Sequence, residues 1–237
     1  MSDILQALSD YRPYLWEGLQ VTLQLSLGGV AVAIVVSVVL GLAAISPLPV
    51  LPVVSRVIVE FFRGTSLVVQ LFFLYYVLPP LGLDLGPVGA GIVGLGLNYG
   101  AYGSEVVRGS LNAVPKGQWE TTLALSMSWP LKVRRVVWPQ AWALMLPGLN
   151  NLTVMLVKGT AVALLLGLHD LTYWADEMRK DPDVGLWTAY GIVFLLYYLI
   201  ALACSSGLRL LERRAQRRLG LRADVAVTDR ATAEAVA

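Results

Sequence analysis

Long stretches of this chain carry no charged residue: Leu19–Ser55, Gly64–Leu83, Leu85–Ser104, Val136–Val157 and Val184–Leu208. Each holds twenty residues or more, and the hydrocarbon core of a bilayer, about 30 Å thick, takes about 20 apolar residues of helix to cross. In lipid the backbone polar groups must be satisfied internally, which selects helices over open strands. The pattern therefore predicts an all-α membrane protein with about five spans, at Leu19–Ala44, Val57–Leu78, Val88–Val107, Pro147–Leu168 and Leu186–Leu208. The first stretch holds one span only. Its later part carries Pro47, Pro49 and Pro52, which break helices and read as a short turn.

Composition narrows the function classes. Charged residues make up 14% of the 237, against roughly 25% in ordinary soluble domains, which excludes a disordered regulator and a water-soluble enzyme core. A net charge of +2 gives no field for nucleic acid, so none is expected as a partner. With one cysteine, Cys204, and one histidine, His169, no disulfide framework, thiolate metal cluster or multi-histidine metal site is available. No phosphate loop of the GxxxxGK[ST] type occurs, so the chain is not itself an ATPase. Asp3, Asp10 and Glu17 outnumber Arg12 before the first span, unlike a cleaved signal peptide.

Lysine and arginine set the expected orientation. Arg108, Lys116, Lys132, Arg134 and Arg135 lie between spans three and four, and Arg209, Arg213, Arg214, Arg217, Arg218 and Arg222 follow span five. The segment between spans two and three has Asp84 and no base. Between spans four and five, Asp170, Asp176, Glu177, Asp181 and Asp183 outnumber Arg179 and Lys180. Five spans then place the N-terminus outside and the C-terminus inside.

The segment from Asn112 to Pro139 is too polar to span and too patterned for a plain connector. Gly117 and Ser126 bracket a short helix. Ser128 stands where an N-cap belongs, with Pro130 just inside a second one. Such a helix–turn–helix suits docking to another protein, although an interfacial loop without a partner has the same pattern.

Within this segment Glu120-Thr-Thr122, three residues, Ser126, nine residues and Val136-Val-Trp-Pro139 resemble the EAA loop of bacterial ABC importer permeases, which reads EAA, three residues, G, nine residues, I-x-L-P. The strings Glu60-Phe-Phe-Arg-Gly-Thr-Ser66, Tyr102-Gly-Ser-Glu-Val-Val-Arg-Gly-Ser110, Val114-Pro-Lys-Gly-Gln-Trp-Glu120, Leu146-Pro-Gly-Leu-Asn-Asn151 and Gly167-Leu-His-Asp170 resemble the polar amino acid subfamily. That group includes permease subunits for histidine and for lysine, arginine and ornithine.

The resemblance implies a MetI-like type I importer bundle: a periplasmic segment 1–18, a transmembrane permease domain 19–212 with its coupling loop at 112–139, and a basic, partly disordered cytoplasmic tail 213–237. It implies a bacterial inner membrane protein that carries a polar amino acid, or a derivative such as an opine, by alternating access. The expected partners are an ABC ATPase dimer, a second permease subunit (a paralogue rather than an identical copy), an extracytoplasmic solute-binding protein and membrane lipid. ATP and magnesium belong to the ATPase, and no cofactor is expected on this chain. Gly117, Glu120, Thr121, Thr122 and Ser126 carry over as the ATPase-docking set, which packs and hydrogen-bonds and catalyses nothing. A channel-like or structural membrane subunit without ATPase coupling is the competing class.

Remaining charges have two readings each. Glu60 with Arg63, and Glu105 with Arg108, are i,i+3 pairs in the repeated string E-x-x-R-G-[ST], expected as structural ion pairs or as support for the coupling loop. Lys158 falls near the middle of the fourth expected span, where a charge costs at least about 2.5–3.5 kcal/mol. It should therefore face an ion-pair partner or a wet substrate path. His169 and Asp170, at the outer end of that span, are substrate-path candidates or a solvated helix end. His169 stands where close relatives carry an acidic residue, which weakens the expectation of a cationic substrate. Gly96-x-x-x-Gly100 reads as a helix-packing surface, within the subunit or across a dimer.

Overall fold

The computed structural model describes residues 9–182 and 184–218, and no strand occurs among the described residues. The first eight residues, Asp183 and the tail from 219, including Arg222, lie outside the described residues. The elements are α1 (Arg12–Ala44), α2 (Val50–Gly64), α3 (Leu67–Phe72), α4 (Gly86–Asn112), α5 (Lys116–Ala124), α6 (Trp129–Lys132), α7 (Trp138–Gly159), α8 (Leu171–Met178) and α9 (Leu186–Arg218).

Three helical runs are long and apolar enough to cross a membrane: Arg12–Ala44, Trp129–Leu166 and Leu186–Ala215. The pair Val50–Gly64 and Leu67–Val77, bent by 102°, is a further candidate, as a broken span or a re-entrant loop. The expected span Val57–Leu78 thus starts earlier and is broken in the middle. Its bend follows from the extended backbone at Thr65 and Ser66. At 27 residues, α4 reaches about 40 Å, but its eight glycines and Asn98 make it less apolar than the other crossings. It is lined on several sides by other helices instead. The fourth run also differs from expectation: Pro147 lies inside α7, and beyond Gly159 the helix tightens to 3-10 geometry over Thr160–Leu166.

Helices α1 and α4 form the central pair. Glycine makes this possible, since a Cβ added at Gly100 would lie 2.7 Å from Val36 Cβ and 3.2 Å from the Ala33 carbonyl oxygen. Gly96 meets Val32, and Gly103 meets Ser37, in the same way. The small-residue motif therefore serves packing within the subunit. Ser37 Oγ lies 2.6 Å from Ala33 O and 3.2 Å from Gly100 O, a hydroxyl shared between the two helices.

Three apolar clusters follow the bundle axis. One joins α1, α8 and α9 around Leu15, Leu171, Met178 and Ile192. The middle one holds Leu25, Leu71, Leu95 and Leu156. The third, at the end that carries α5, holds Val107, Leu111, Val114, Val137 and Met145, with Trp119, Trp138 and Trp142 against it. At the opposite end the Tyr11 hydroxyl donates to Asp181 (2.9 Å), a bond that raises the phenol above its ordinary pKa.

Candidate functional site

The elbow after α4 is built to stand firm on one side and open on the other. Only Ala113, Val114 and Pro115 separate α4 from α5. Val114 is buried, and Trp119 packs against the same cluster. The α5 helix ends in a Schellman arrangement: Met127 N–H donates to Thr122 O (3.0 Å) and Ser126 N–H to Leu123 O (2.8 Å). Ser126 sits at φ +52°, the one non-glycine residue with positive φ among the described residues. It keeps the left-handed conformation that a glycine would adopt more easily.

That conformation gives a testable result. Left-handed backbone costs an L-residue roughly 1–2 kcal/mol, and glycine's added chain entropy costs about 0.5–1 kcal/mol. Ser126→Gly should therefore raise the melting temperature of the purified protein slightly. Ser126→Val should lower it, because a β-branched residue is strained there. A clear fall for the glycine variant would mean that this backbone is not left-handed.

Gly117, Glu120, Thr121 and Ser126 are exposed. Thr121 Oγ1 donates to Gly117 O (2.7 Å). Thr122 differs from the rest of the expected docking set: it is buried and bonds Trp119 O (2.7 Å), so it supports the elbow from inside. Two residues that sequence reasoning passed over, Leu123 and Leu125, are 65% and 68% exposed beside this set.

The expected ion pairs divide. Glu105 and Arg108 pair at 2.6 Å. Glu60 and Arg63 do not. Instead the Arg63 guanidinium stands 5.1 Å from the Tyr102 ring centroid, a cation–π contact, and the Tyr102 hydroxyl points at Arg63 O (3.5 Å). Arg56, Glu60 and Arg63 of α2 line one groove of about 520 Å³ with Glu105 and Arg108 of α4.

Lys158 lies in the last turn of α7, where a cation complements the helix dipole. It is exposed on a face shared with Asn151 and Met155, and no ion pair holds it among the described residues. The intrachain ion-pair reading is thus not realised in this subunit.

Asp170 is neither a solvated helix end nor open to a path here. It is fully enclosed and N-caps α8, accepting from Tyr173 N–H (2.9 Å) and the Tyr197 hydroxyl (3.0 Å). That hydroxyl also meets Thr172 (3.2 Å) and Thr160 (3.5 Å). Leu171 N–H donates to Thr22 of α1 (3.3 Å), and Gly18 leaves room for the Asp170 backbone. The knot ties α1, α8 and α9 together. An Ncap aspartate replaced by alanine costs about 0.5–2 kcal/mol, and loss of the Tyr197 partner adds to it, so Asp170→Ala should lower the melting temperature more than Asp170→Asn. Equal losses would mean that the cap contributes nothing.

His169, next in sequence, is about half exposed. Its ring stacks on Tyr173 at 4.2 Å, with Nδ1 3.9 Å from Glu17. Nearby, Arg179 and Lys180 hold the Asp176 carboxyl below its ordinary pKa, chiefly through the Arg179 hydrogen bond. No group of three potential metal ligands occurs among the described residues.

A second polar junction secures the break in the bent crossing. Gln70 Nε2 donates to Phe62 O (2.9 Å) and Thr65 Oγ1 (2.7 Å), while Asn98 Nδ2 donates to Phe62 O (3.1 Å) and Gln70 Oε1 (3.2 Å). These amides replace helical bonds lost at the bend, as an irregular backbone at membrane depth requires. Sequence offered one signal for this junction: two amide side chains inside otherwise apolar stretches.

Similarity to known proteins agrees with this geometry. Residues 33–217 match the family described as binding-protein-dependent transport system inner membrane component. The chain is 40% identical over 219 residues, 90% of its length and 92% of the relative's, to the probable amino-acid ABC transporter permease protein y4tF of Sinorhizobium fredii. It is 35% identical over 206 residues, 85% of its length and 93% of the relative's, to the glutamine transport system permease protein GlnP of Escherichia coli. A crystal structure described as an amino acid ABC transporter with histidines superposes with a TM-score of 0.77 at 31% identity, covering 88% of this chain and 97% of that one. This chain belongs to the inner membrane components of binding-protein-dependent transport systems, among the amino-acid ABC transporter permeases.

Proposed function

We propose that the chain is the transmembrane subunit of an importer that moves a polar amino acid, or a derivative such as an opine, into the cytoplasm by alternating access. A separate ABC ATPase dimer binds ATP and magnesium and supplies the energy. The observation that carries this reading is the elbow: a helix seated on the core through Val114 and Trp119 presents Glu120, Thr121, Leu123 and Leu125 outward. The elbow end is also rich in lysine and arginine, which favours the cytoplasm for it and the outside for the N-terminus. A second permease subunit, a paralogue, completes the pore, and an extracytoplasmic solute-binding protein delivers the substrate.

Lys158 belongs to the pore side in this reading. A charge facing lipid is costly, and its exposed face on α7 has no cover within the subunit. His169, half exposed beside Glu17, stays a candidate for the outer end of the path.

The test is a reconstituted complex of both permeases, the ATPase and the binding protein in vesicles. Polar amino acids should stimulate ATP hydrolysis and accumulate only with ATP inside. Lys158→Met should insert normally and cut uptake at least several-fold. Flux down a gradient without ATP would favour a channel, and unchanged uptake by the Lys158 variant would remove that residue from the path.

A further inference from the structure

Helix α1 lies across one side of both α4 and α7. Its Val32, Val36 and Ser37 meet Gly96, Gly100 and Gly103 of α4. Its Val30, Ala33 and Ser37 line one small cavity with Leu149, Thr153 and Leu156 of α7. At about 100° per residue, Tyr102 of α4 and Asn151, Met155 and Lys158 of α7 stand on the sides turned away from α1. All four are exposed, so they open on one face of the α4–α7 pair.

Polar groups occupy two levels of that face. Leu152 lies against Gly103, 3.6 Å from a Cβ added there, which sets Asn151 level with Tyr102. The Arg63 guanidinium joins them from α2, 5.1 Å from the Tyr102 ring centroid. Lys158 stands two turns further from the elbow, about 10 Å along the axis. Both cations are exposed, and neither has an ion pair among the described residues. The exposed side of α9 is different in kind: Phe194, Leu195, Tyr198, Leu199 and Leu202 suit lipid.

An ionised side chain within a bilayer faces a partner or a wet cavity and not lipid. Glu105 is bound to Arg108, and both Glu60 and Glu105 come one turn nearer the elbow than Arg63 and Tyr102. The cation–π contact engages the Arg63 charge through the ring face. It takes none of the guanidinium N–H donors, and no hydrogen bond takes them among the described residues. A guanidinium with free donors is matched to a carboxylate, which it holds through two parallel bonds. The Lys158 ammonium meets the same group as a point charge.

We propose that Lys158 and Arg63 are successive stations for the carboxylate of the transported amino acid, on a water-filled face with Asn151 and Tyr102 beside the inner station. Arg63, held on Tyr102, is thereby a specificity-determining residue. The inference rests on the amino-acid import reading.

The test uses the reconstituted complex with single cysteines in a Cys204→Ser background. Asn151→Cys and Met155→Cys report on the face, and Leu199→Cys on the apolar side of α9 is the control. Each is labelled with 2-carboxyethyl methanethiosulfonate, whose carboxylate stands in for that of the substrate, and with the 2-aminoethyl reagent. Labelling is read without nucleotide and with ATP and vanadate trapped. Asn151→Cys and Met155→Cys should react in at least one state, and Leu199→Cys should not. Arg63→Gln should lower the carboxylate-to-amine rate ratio at Asn151→Cys at least threefold, and Arg63→Lys, which keeps the charge, should preserve it. Lys158→Met should do the same at Met155→Cys. No reaction at either position in either state means that lipid or the second subunit seals the face, which overturns the proposal. So does a ratio indifferent to Arg63→Gln. A complex that labels as expected yet accumulates no amino acid with ATP refutes the import reading, and the carboxylate assignment with it. Failure of the labelling in a complex that does accumulate one refutes the assignment alone.

Discussion

Replacing Leu123 and Leu125 together by glutamate is expected to strip the ATPase from the purified permease and to lower uptake to less than a tenth of wild type. Both side chains are mostly exposed at the end of α5, so the change removes little packing within the subunit. Covering a leucine is worth about 1.5–3 kcal/mol. Losing two in an interface amounts to about 3–6 kcal/mol, which is about a hundredfold or more in affinity at 1.4 kcal/mol per tenfold. The decisive measurement is co-purification of the ATPase with tagged permease, with membrane yield as the control. Full retention of the ATPase and of uptake in a well-inserted variant would place the docking surface elsewhere.

The largest expected effect on folding comes from the α1–α4 contact. Gly100→Leu should abolish well-folded protein, and Gly100→Ala should destabilise it by about 1–3 kcal/mol through overpacking. Helix propensity alone argues the other way, since alanine gains about 1 kcal/mol over glycine in a helix interior. The clash prevails because the new Cβ meets Val36 Cβ at 2.7 Å and a backbone oxygen at 3.2 Å. Val36→Ala should partly rescue Gly100→Ala. At Gly191, where an added Cβ meets nothing within 4 Å, the same change should cost nothing. These outcomes are read from the fraction of monodisperse protein in detergent and from its melting temperature. A tolerated Gly100→Leu would mean that the helices do not approach closely at this point.

How far the sequence revealed this arrangement depends on the range of each interaction. Apolar stretches, prolines and the Gly117–Ser126 bracket act locally, so the helices and the elbow were legible in the chain itself. The break after Gly64 was not. It depends on Gln70 and on Asn98 from a third helix, and nothing local says that these amides meet. Asp170 is a second case. Its position beside a charged loop suggested contact with water or substrate, whereas Tyr197, 27 residues further on, closes over it. The Glu60–Arg63 spacing permits a pair, but Tyr102 on the facing helix offers Arg63 another partner. Ser126 shows the converse: where the loop pattern has glycine, the serine itself takes a positive φ.

The bend in the second crossing has a consequence for energetics. Its fastening consists of amides, carbonyls and the Thr65 hydroxyl, none of which carries a formal charge, so these groups themselves move no charge through the transmembrane electric field. Each elementary charge carried across 100 mV is worth about 2.3 kcal/mol; these groups feel none of that. Any sensitivity of the cycle to membrane voltage must then arise from ionised side chains, Arg63 beside the joint among them, or from the cargo.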